Sequence, residues 1–169
     1  MPKGHYTRSF RTPILVIGPS IAYLPLTRGH YALIDSEDAS LIRGDWSLKP
    51  GPTGIYAHGR NGAGRRMTLH RFLLGDPDSF VDHKNRNGLD NRRANLRLAT
   101  RSQNQWNRKI STLSKSGLKG AHKEYGKWVG LINVGGKQRR LGMFSTPEEA
   151  HEAYCSAAKI LHGEFANRG

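Results

Sequence analysis

A single cysteine, Cys155, stands in a chain of 169 residues. One thiol excludes an intrachain disulfide and any zinc site built on two or more thiolates. Long apolar runs are missing as well. No stretch of about 18 apolar residues occurs, so no transmembrane helix is expected. The longest run, Ile14 to Leu26, is broken by Gly18, Pro19 and Pro25. No small-residue cleavage site follows it, so it does not read as a signal peptide. The expectation is a soluble, cytoplasmic chain. Acidic residues are scarce, 13 against 27 lysines and arginines, and the net charge is +14. That excess implies a polyanionic partner, most simply nucleic acid. A membrane surface fits less well, because no amphipathic basic helix is present. Aromatic residues make up 8%, too ordinary a share to indicate stacking platforms for single strands.

The charge is uneven. Residues 1–59 carry net +2, residues 60–112 net +8 and residues 113–169 net +4. A solvated surface tends to mix signs, so the middle third points to a polyanion contact. Residues 1–12 are basic without periodicity and read as a tail. Residues 13–66 read as a β-rich unit. Ile14 to Ile17 fits a short strand, and Leu24–Thr27 and His30–Ile34 fit two strands about a turn at Arg28-Gly29. Asp35-Ser36 reads as the cap of a short turn over Glu37 to Ile42. Trp46–Leu48 and Ile55–Ala57 form another strand pair across a proline- and glycine-rich loop. This third carries little that suggests chemistry and reads as scaffold. Met67 to Leu74 is a short element in which His70 has a packing role.

Residues 111–117 are small and polar and fit a linker. Residues 118–169 follow as a β-β-β-α module: Leu118 to Glu124, Lys127 to Val134, Gln138 to Phe144, then a helix. Thr146-Pro147-Glu148-Glu149 is a capping box with proline at the first helical position. Ala150, Ala153, Tyr154, Ala157, Ala158 and Leu161 make one apolar stripe, and Gly163 supplies the stop. The alanines let the helix lie close to the sheet. Cys155 lies beside the stripe as a small filler.

The densest polar segment runs from Val81 to Arg108. Phe80-Val81 leads a strand into Asp82-His83, and Asn87-Gly88 is a strong turn signal. Asn95 to Ala99 returns as a second strand. Thr100-x-x-Gln103 is a capping box that places Asn104 one turn into a helix. Hydrolysis of a phosphodiester needs a water to lose a proton, and charge to be neutralised on the phosphorane and the leaving oxygen. Histidine, with its ordinary pKa near 6.5, suits the first task. A divalent cation suits the others. Oxygen ligands such as Asp82 and Asn104 favour magnesium or manganese over zinc. The twelve basic residues of 60–112 would hold phosphates. Neighbours in a strand point to opposite faces, so Asp82 and His83 can share a site only where the strand ends or distorts.

This segment resembles the HNH nuclease family of the ββα-metal superfamily. The resemblance runs through Asp82-His83, Leu89-Asp90-Asn91-Arg92, Asn95-Leu96-Arg97, Thr100 and Asn104. It implies that His83 is the general base, that Asp82 and Asn104 hold one divalent ion, Mg2+ or Mn2+, and that Asn95 braces the loop and orients the histidine. Arg92, Arg93 and Arg97 become either phosphate contacts or loop braces. Structural zinc is not implied, since the paired cysteines are missing; a core under Trp106 and Leu96 takes its place. Asp90 and Asn91 read as turn formers, and Asn107 as a surface hydrogen-bonding residue. Trp46, Trp106 and Trp128 read as core.

The last module resembles the AP2/ERF-type DNA-binding domain through Gly117-Leu118-Lys119-Gly120, Lys127-Trp128, Leu141-Gly142-Met143-Phe144 and Glu148 to Tyr154. The resemblance implies a sheet lying in the major groove. Strand parity puts Trp128, Gly130 and Ile132 toward the helix and Asn133 outward. Lys119, His122, Asn133, Gln138 and Arg140 are the candidates for the DNA face, where Leu131 departs from the family's usual polar contact. The stretch Pro25 to Asp35 with Trp46 resembles the leader of phage-type HNH homing endonucleases. The expectation is therefore an α+β protein: a β-rich N-terminal unit (13–66), a ββα-metal core (67–110) and an AP2-like three-stranded antiparallel sheet on one helix (118–169). It would cut duplex DNA as a monomer without an obligatory protein partner or a membrane, in the cytoplasm of a host cell, phage-encoded by resemblance. Two rivals remain, a non-catalytic DNA-binding regulator and a basic RNA-binding protein.

Overall fold

A computed structural model describes residues 14–51, 54–110 and 114–169. The expected tail, 1–12, lies outside these residues, as do positions 111–113 of the expected linker. The chain gathers into two compact units. One takes the residues up to Pro77 together with Asn87–Leu96; the other takes Asp78–Arg86 and Arg97–Gly169. The segment read as the nuclease core, 67–110, is shared between them.

In the first unit, β1 (Leu15–Ile17), β2 (Ile21–Pro25) and β3 (Tyr31–Asp35) form an antiparallel sheet. Alternate residues Ala22, Leu24, Ala32 and Ile34 are buried, as period-two patterning requires. A second antiparallel sheet holds β4 (Ser47–Gly51), β5 (Gly54–Arg60) and β6 (Arg66–Thr68), followed by α1 (Leu69–Leu73). Trp46, Ala57, Leu69 and Leu73 complete one core with the first sheet. His70 is half-buried, with its Nε2 2.9 Å from the Thr68 hydroxyl and its ring edge-on to Tyr56. Asp35 precedes a short 3-10 turn, Ser36–Ser40, but does not cap it. Its carboxylate instead accepts the backbone N–H of Arg93 at 2.7 Å.

The polar segment 87–96 is stitched into this unit. Leu33 donates to the Leu89 carbonyl and accepts from the Asn91 N–H, both at 2.7 Å. Asn87 makes the expected turn, accepting from Leu89 on its side chain and from Asp90 on its carbonyl. A β-carbon at Gly88 would strike the Ile55 carbonyl and the Tyr56 ring, so only glycine lets the turn approach β5 this closely. The N-terminal scaffold is thus a scaffold for this loop.

In the second unit, β7 (Phe80–His83) pairs with β8 (Leu96–Ala99), whose first residue belongs to the other unit. The short helix α2 (Arg101–Trp106) follows, with both bonds of the Thr100–Gln103 capping box formed. Then come β9 (Ala121–Glu124), β10 (Lys127–Val134) and β11 (Lys137–Phe144), antiparallel in the order 11-10-9, and α3 (Pro147–Leu161) under the Thr146–Glu149 capping box. Ile132 packs with Tyr154, Cys155 and Ala158. A β-carbon at Gly130 would lie 3.1 Å from the Ala150 carbonyl, so glycine and alanine do bring helix and sheet together. Gly130 and Ile132 meet the helix and Asn133 is exposed, as parity expects. The register shifts between Gly130 and Leu131, and Val129 is fully buried while Trp128 is only half-buried with Lys123 above its ring. Leu161, expected in the stripe, is exposed, and Cys155 is buried.

Candidate active site

The strand β7 ends on two buried polar residues. Phe80 is exposed, but Asp82 and His83 are both buried. Directly after His83 the chain turns, and the Arg86 N–H donates to the His83 carbonyl at 2.9 Å. The two are neighbours at the end of the strand, and both are buried.

Two residues hold the Asp82 carboxylate. Arg97 donates from Nε at 2.9 Å and from a terminal nitrogen at 2.8 Å. Its other terminal nitrogen reaches the Glu164 carbonyl at 2.7 Å, and its guanidinium lies 3.7 Å above the Phe165 ring. The Asn107 amide nitrogen lies 3.0 Å from both Asp82 oxygens and 2.8 Å from the His83 carbonyl. Asn107 is not the surface residue the sequence suggests. It is buried at the C-cap of α2, where the helix ends and the side chain turns inward. Its place three residues after Asn104 was the available signal. Asn104 is half-buried on α2.

The end of α2 leaves carbonyls without helical partners. The Lys119 ammonium takes those of Trp106 and Arg108, at 2.6 and 2.7 Å. Burial, reinforced by Arg86 and Arg108, lowers the Lys119 pKa to about 8. This places the Lys119 head group at a helix end rather than on an exposed sheet face. His162 stacks on Trp106 with ring centres 4.1 Å apart, and its Nε2 donates to the Asn133 carbonyl at 2.9 Å. Its Nδ1 is buried without a partner. Burial lowers the His162 pKa.

Within the first unit, the buried Asn95 amide donates to the Asp90 carbonyl at 2.7 Å. Arg92 grips the Asp90 carboxylate with two bonds of 2.8 and 2.7 Å. Arg93 holds buried Asp38, with its closest contact at 2.7 Å. Arg92, Arg93 and Arg97 thus each hold an aspartate carboxylate. Asp90 and Asn91 are both buried, so they are turn formers that also fill the loop's interior.

On the C-terminal sheet, His122, Asn133, Gln138 and Arg140 are exposed. Asn133 and Gln138 are cross-strand partners, and Arg140 pairs with the Glu124 carboxylate. Lys137, Gln138, Arg139 and Arg140 form an unbroken exposed run on β11. Leu131, half-buried, lies opposite Arg140. Among the described residues, no three histidine, cysteine, aspartate or glutamate side chains gather as a metal cluster, and no helix is long and apolar enough to cross a membrane.

The HNH endonuclease family profile matches residues 76–106, a span that contains Asp82, His83, Asn95 and Asn104 and stops just short of Asn107. An uncharacterised HNH endonuclease of Acanthamoeba polyphaga mimivirus is 33% identical over 108 residues, covering 60% of this chain and 56% of the relative. Protein 3.8 of Escherichia phage T7 is 36% identical over 89 residues, covering 52% of this chain and 73% of the relative. The chain therefore spans little more than half of the mimivirus protein. No solved structure matches significantly. The profile falls on the strand, loop and helix that carry the buried Asp82-His83 pair, and two viral relatives extend the likeness beyond it: the chain belongs to the HNH endonuclease family.

Proposed function

We propose that the chain is a metal-dependent DNA endonuclease of the homing type, hydrolysing a phosphodiester in duplex DNA with His83 as general base. The observation that carries this reading is the buried Asp82-His83 pair at the end of β7, tied to the end of α2 by one asparagine side chain. His83 takes the proton of the attacking water. The water oxygen bonds to phosphorus, the bond to the 3′ oxygen breaks, that oxygen takes a proton from solvent, and the products are a 5′-phosphate and a 3′-hydroxyl. Asn95 serves as a brace for the loop.

The Asp82 carboxylate and the Asn104 amide oxygen would hold one divalent ion. Both are hard oxygen donors, which fits Mg2+ or Mn2+ with water completing the shell, and not zinc. Arg97 already pairs with Asp82, so an ion at this carboxylate would have to share it with the guanidinium or displace it. When bound, such an ion neutralises charge on the phosphate and on the leaving oxygen. Duplex DNA would lie on exposed basic groups, and the AP2-like sheet would read the major groove through His122, Asn133, Gln138 and Arg140. Lys119, Arg92, Arg93 and Arg97 would meet DNA only by sharing head groups that already bind carbonyls or carboxylates of this chain.

A non-catalytic DNA-binding regulator is the rival reading, and the occupation of Asp82 by Arg97 is what favours it. The deciding experiment is cleavage of supercoiled plasmid and long phage DNA with magnesium, with manganese and with EDTA. Wild type is compared with His83→Ala and Asn104→Ala. The expected result is metal-dependent open-circle or linear product, lost in both variants while duplex DNA is still shifted in a gel. Unchanged cleavage by His83→Ala removes the proposed base. A gel shift without cleavage, on a randomised-site library as well, leaves the regulator.

A further inference from the structure

The segment after α3 folds back onto the site. It forms a short 3-10 turn, Gly163–Phe165, whose Glu164 and Phe165 contact Arg97. Two residues later comes Asn167, buried to 6% exposure. A carboxamide has two donor hydrogens and two acceptor lone pairs, and Asn167 uses all four. Its amide nitrogen donates to the carbonyls of Asn107 and Arg108, both at 2.8 Å. Its oxygen accepts from an Arg86 guanidinium nitrogen at 2.6 Å and from the Gly169 N–H at 3.0 Å. Arg86 also donates to the Gly169 carbonyl at 2.8 Å.

These partners belong to two different arms of the site. Arg86 is in the turn that leaves His83, and its own N–H donates to the His83 carbonyl. Asn107 is the helix-end residue whose side chain holds Asp82 and His83. One buried amide therefore ties the strand end that carries the base to the helix end that orients it. We infer that Asn167 is a positioning residue for the reaction, setting the spacing between the turn after His83 and the end of α2. The inference rests on the nuclease reading of Asp82 and His83. It assigns to the module beyond β8 a part in the catalytic geometry as well as in DNA contact. Exchange for aspartate is informative. It preserves the bond to Arg86 but removes both donors and sets a negative charge against two carbonyls. Alanine removes both arms, and Arg86→Gln attacks the link from the other side.

The test compares wild type, Asn167→Ala, Asn167→Asp and Arg86→Gln at a temperature where each is folded. Two readouts are taken: single-site DNA cleavage kinetics, and nitrogen-proton correlation spectra of the His83 ring and the Asn107 side-chain amide. For the Asn167 variants, kcat is expected to fall at least tenfold while KM and Kd for DNA stay within twofold. The Asn107 amide hydrogens are expected to exchange at least tenfold faster. The His83 ring signals should shift in all three variants, and those of the exposed His122 should not. An unchanged kcat in the Asn167 variants overturns the inference, however far the melting temperature drops, because a merely structural tie costs stability and not turnover. If wild type cuts no DNA, the nuclease reading fails by itself. The spectra then decide alone, and His83 and Asn107 signals that superimpose on wild type overturn the positioning role.

Discussion

The side-chain amide of Asn107 has two hydrogens and faces three oxygens, both of Asp82 and the carbonyl of His83. It can satisfy them only as shared bonds, so it fixes the angle between two consecutive residues rather than gripping one. Arg97 supplies the charge that makes burial of Asp82 tolerable, since an unpaired buried carboxylate is costly. The roles separate. Arg97 neutralises and Asn107 orients. Replacing Asn107 with alanine leaves the ion pair but frees the rotation of the carboxylate. The expected effect is a fall of about 10- to 100-fold in kcat, the range typical for residues that orient ligands and bases. Single-turnover cleavage measured beside gel-shift affinity checks it; an equal loss in both would mean that the residue serves binding instead.

At the scale of elements, α2 is six residues long, too short to be stable alone. Its start is secured by a capping box and its end by Lys119, Asn167 and the stack of His162 on Trp106. His162 is the pH-sensitive member. Its Nε2 must carry the proton that reaches the Asn133 carbonyl, and a second proton on buried Nδ1 would have no acceptor. Its folded pKa therefore lies below the ordinary 6.5. The stabilisation is complete above about pH 6.5 and is lost as pH falls from there toward the folded value, because the unfolded chain then binds the extra proton. Thermal melts should thus show a lower midpoint at pH 5.5 than at pH 7.5. In His162→Phe the midpoint at pH 7.5 should drop, by about 1 kcal/mol of lost hydrogen bonding, while the slope with pH flattens. The elements themselves were largely legible. Both capping boxes, the strand pairs and the turn at Asn87-Gly88 follow from local rules that the structure obeys. What local rules could not give was long-range closure. Asn107 and Asn167 are ordinary polar residues until a helix end and a returning segment bring them together, and Lys119 reads as a DNA-face lysine until the carbonyls of Trp106 and Arg108 claim it. The bulge likewise has no single-strand signature: its extra residue, Leu141, lies on β11 opposite Gly130 and Leu131.

Across the whole molecule, the net +14 charge is not all available to a partner. Of the twelve basic residues in 60–112, Arg65, Arg71, Arg92, Arg93 and Arg97 are paired with carboxylates. Asp76, Asp82 and Asp90 are each held by arginine, and Arg93 is held by Asp38. A basic count therefore overstates the footprint on DNA, and the residues to test are those with exposed head groups. Lys137 and Arg139 on β11 meet that condition. Arg92 and Arg93 are equally basic but are tied to acidic partners. Each phosphate contact contributes about 0.9 to the slope of log affinity against log salt. The double variant Lys137→Gln, Arg139→Gln should therefore reduce the slope by up to about 2 and weaken binding at low salt, leaving thermal stability nearly unchanged. Arg92→Gln with Arg93→Gln should do the reverse, lowering stability because buried Asp38 and Asp90 lose their partners, while the slope changes little. Salt titrations of duplex binding beside thermal melts for the two pairs decide the matter. A slope that drops equally in both would show that the loop arginines release their carboxylates to grip the backbone when DNA arrives.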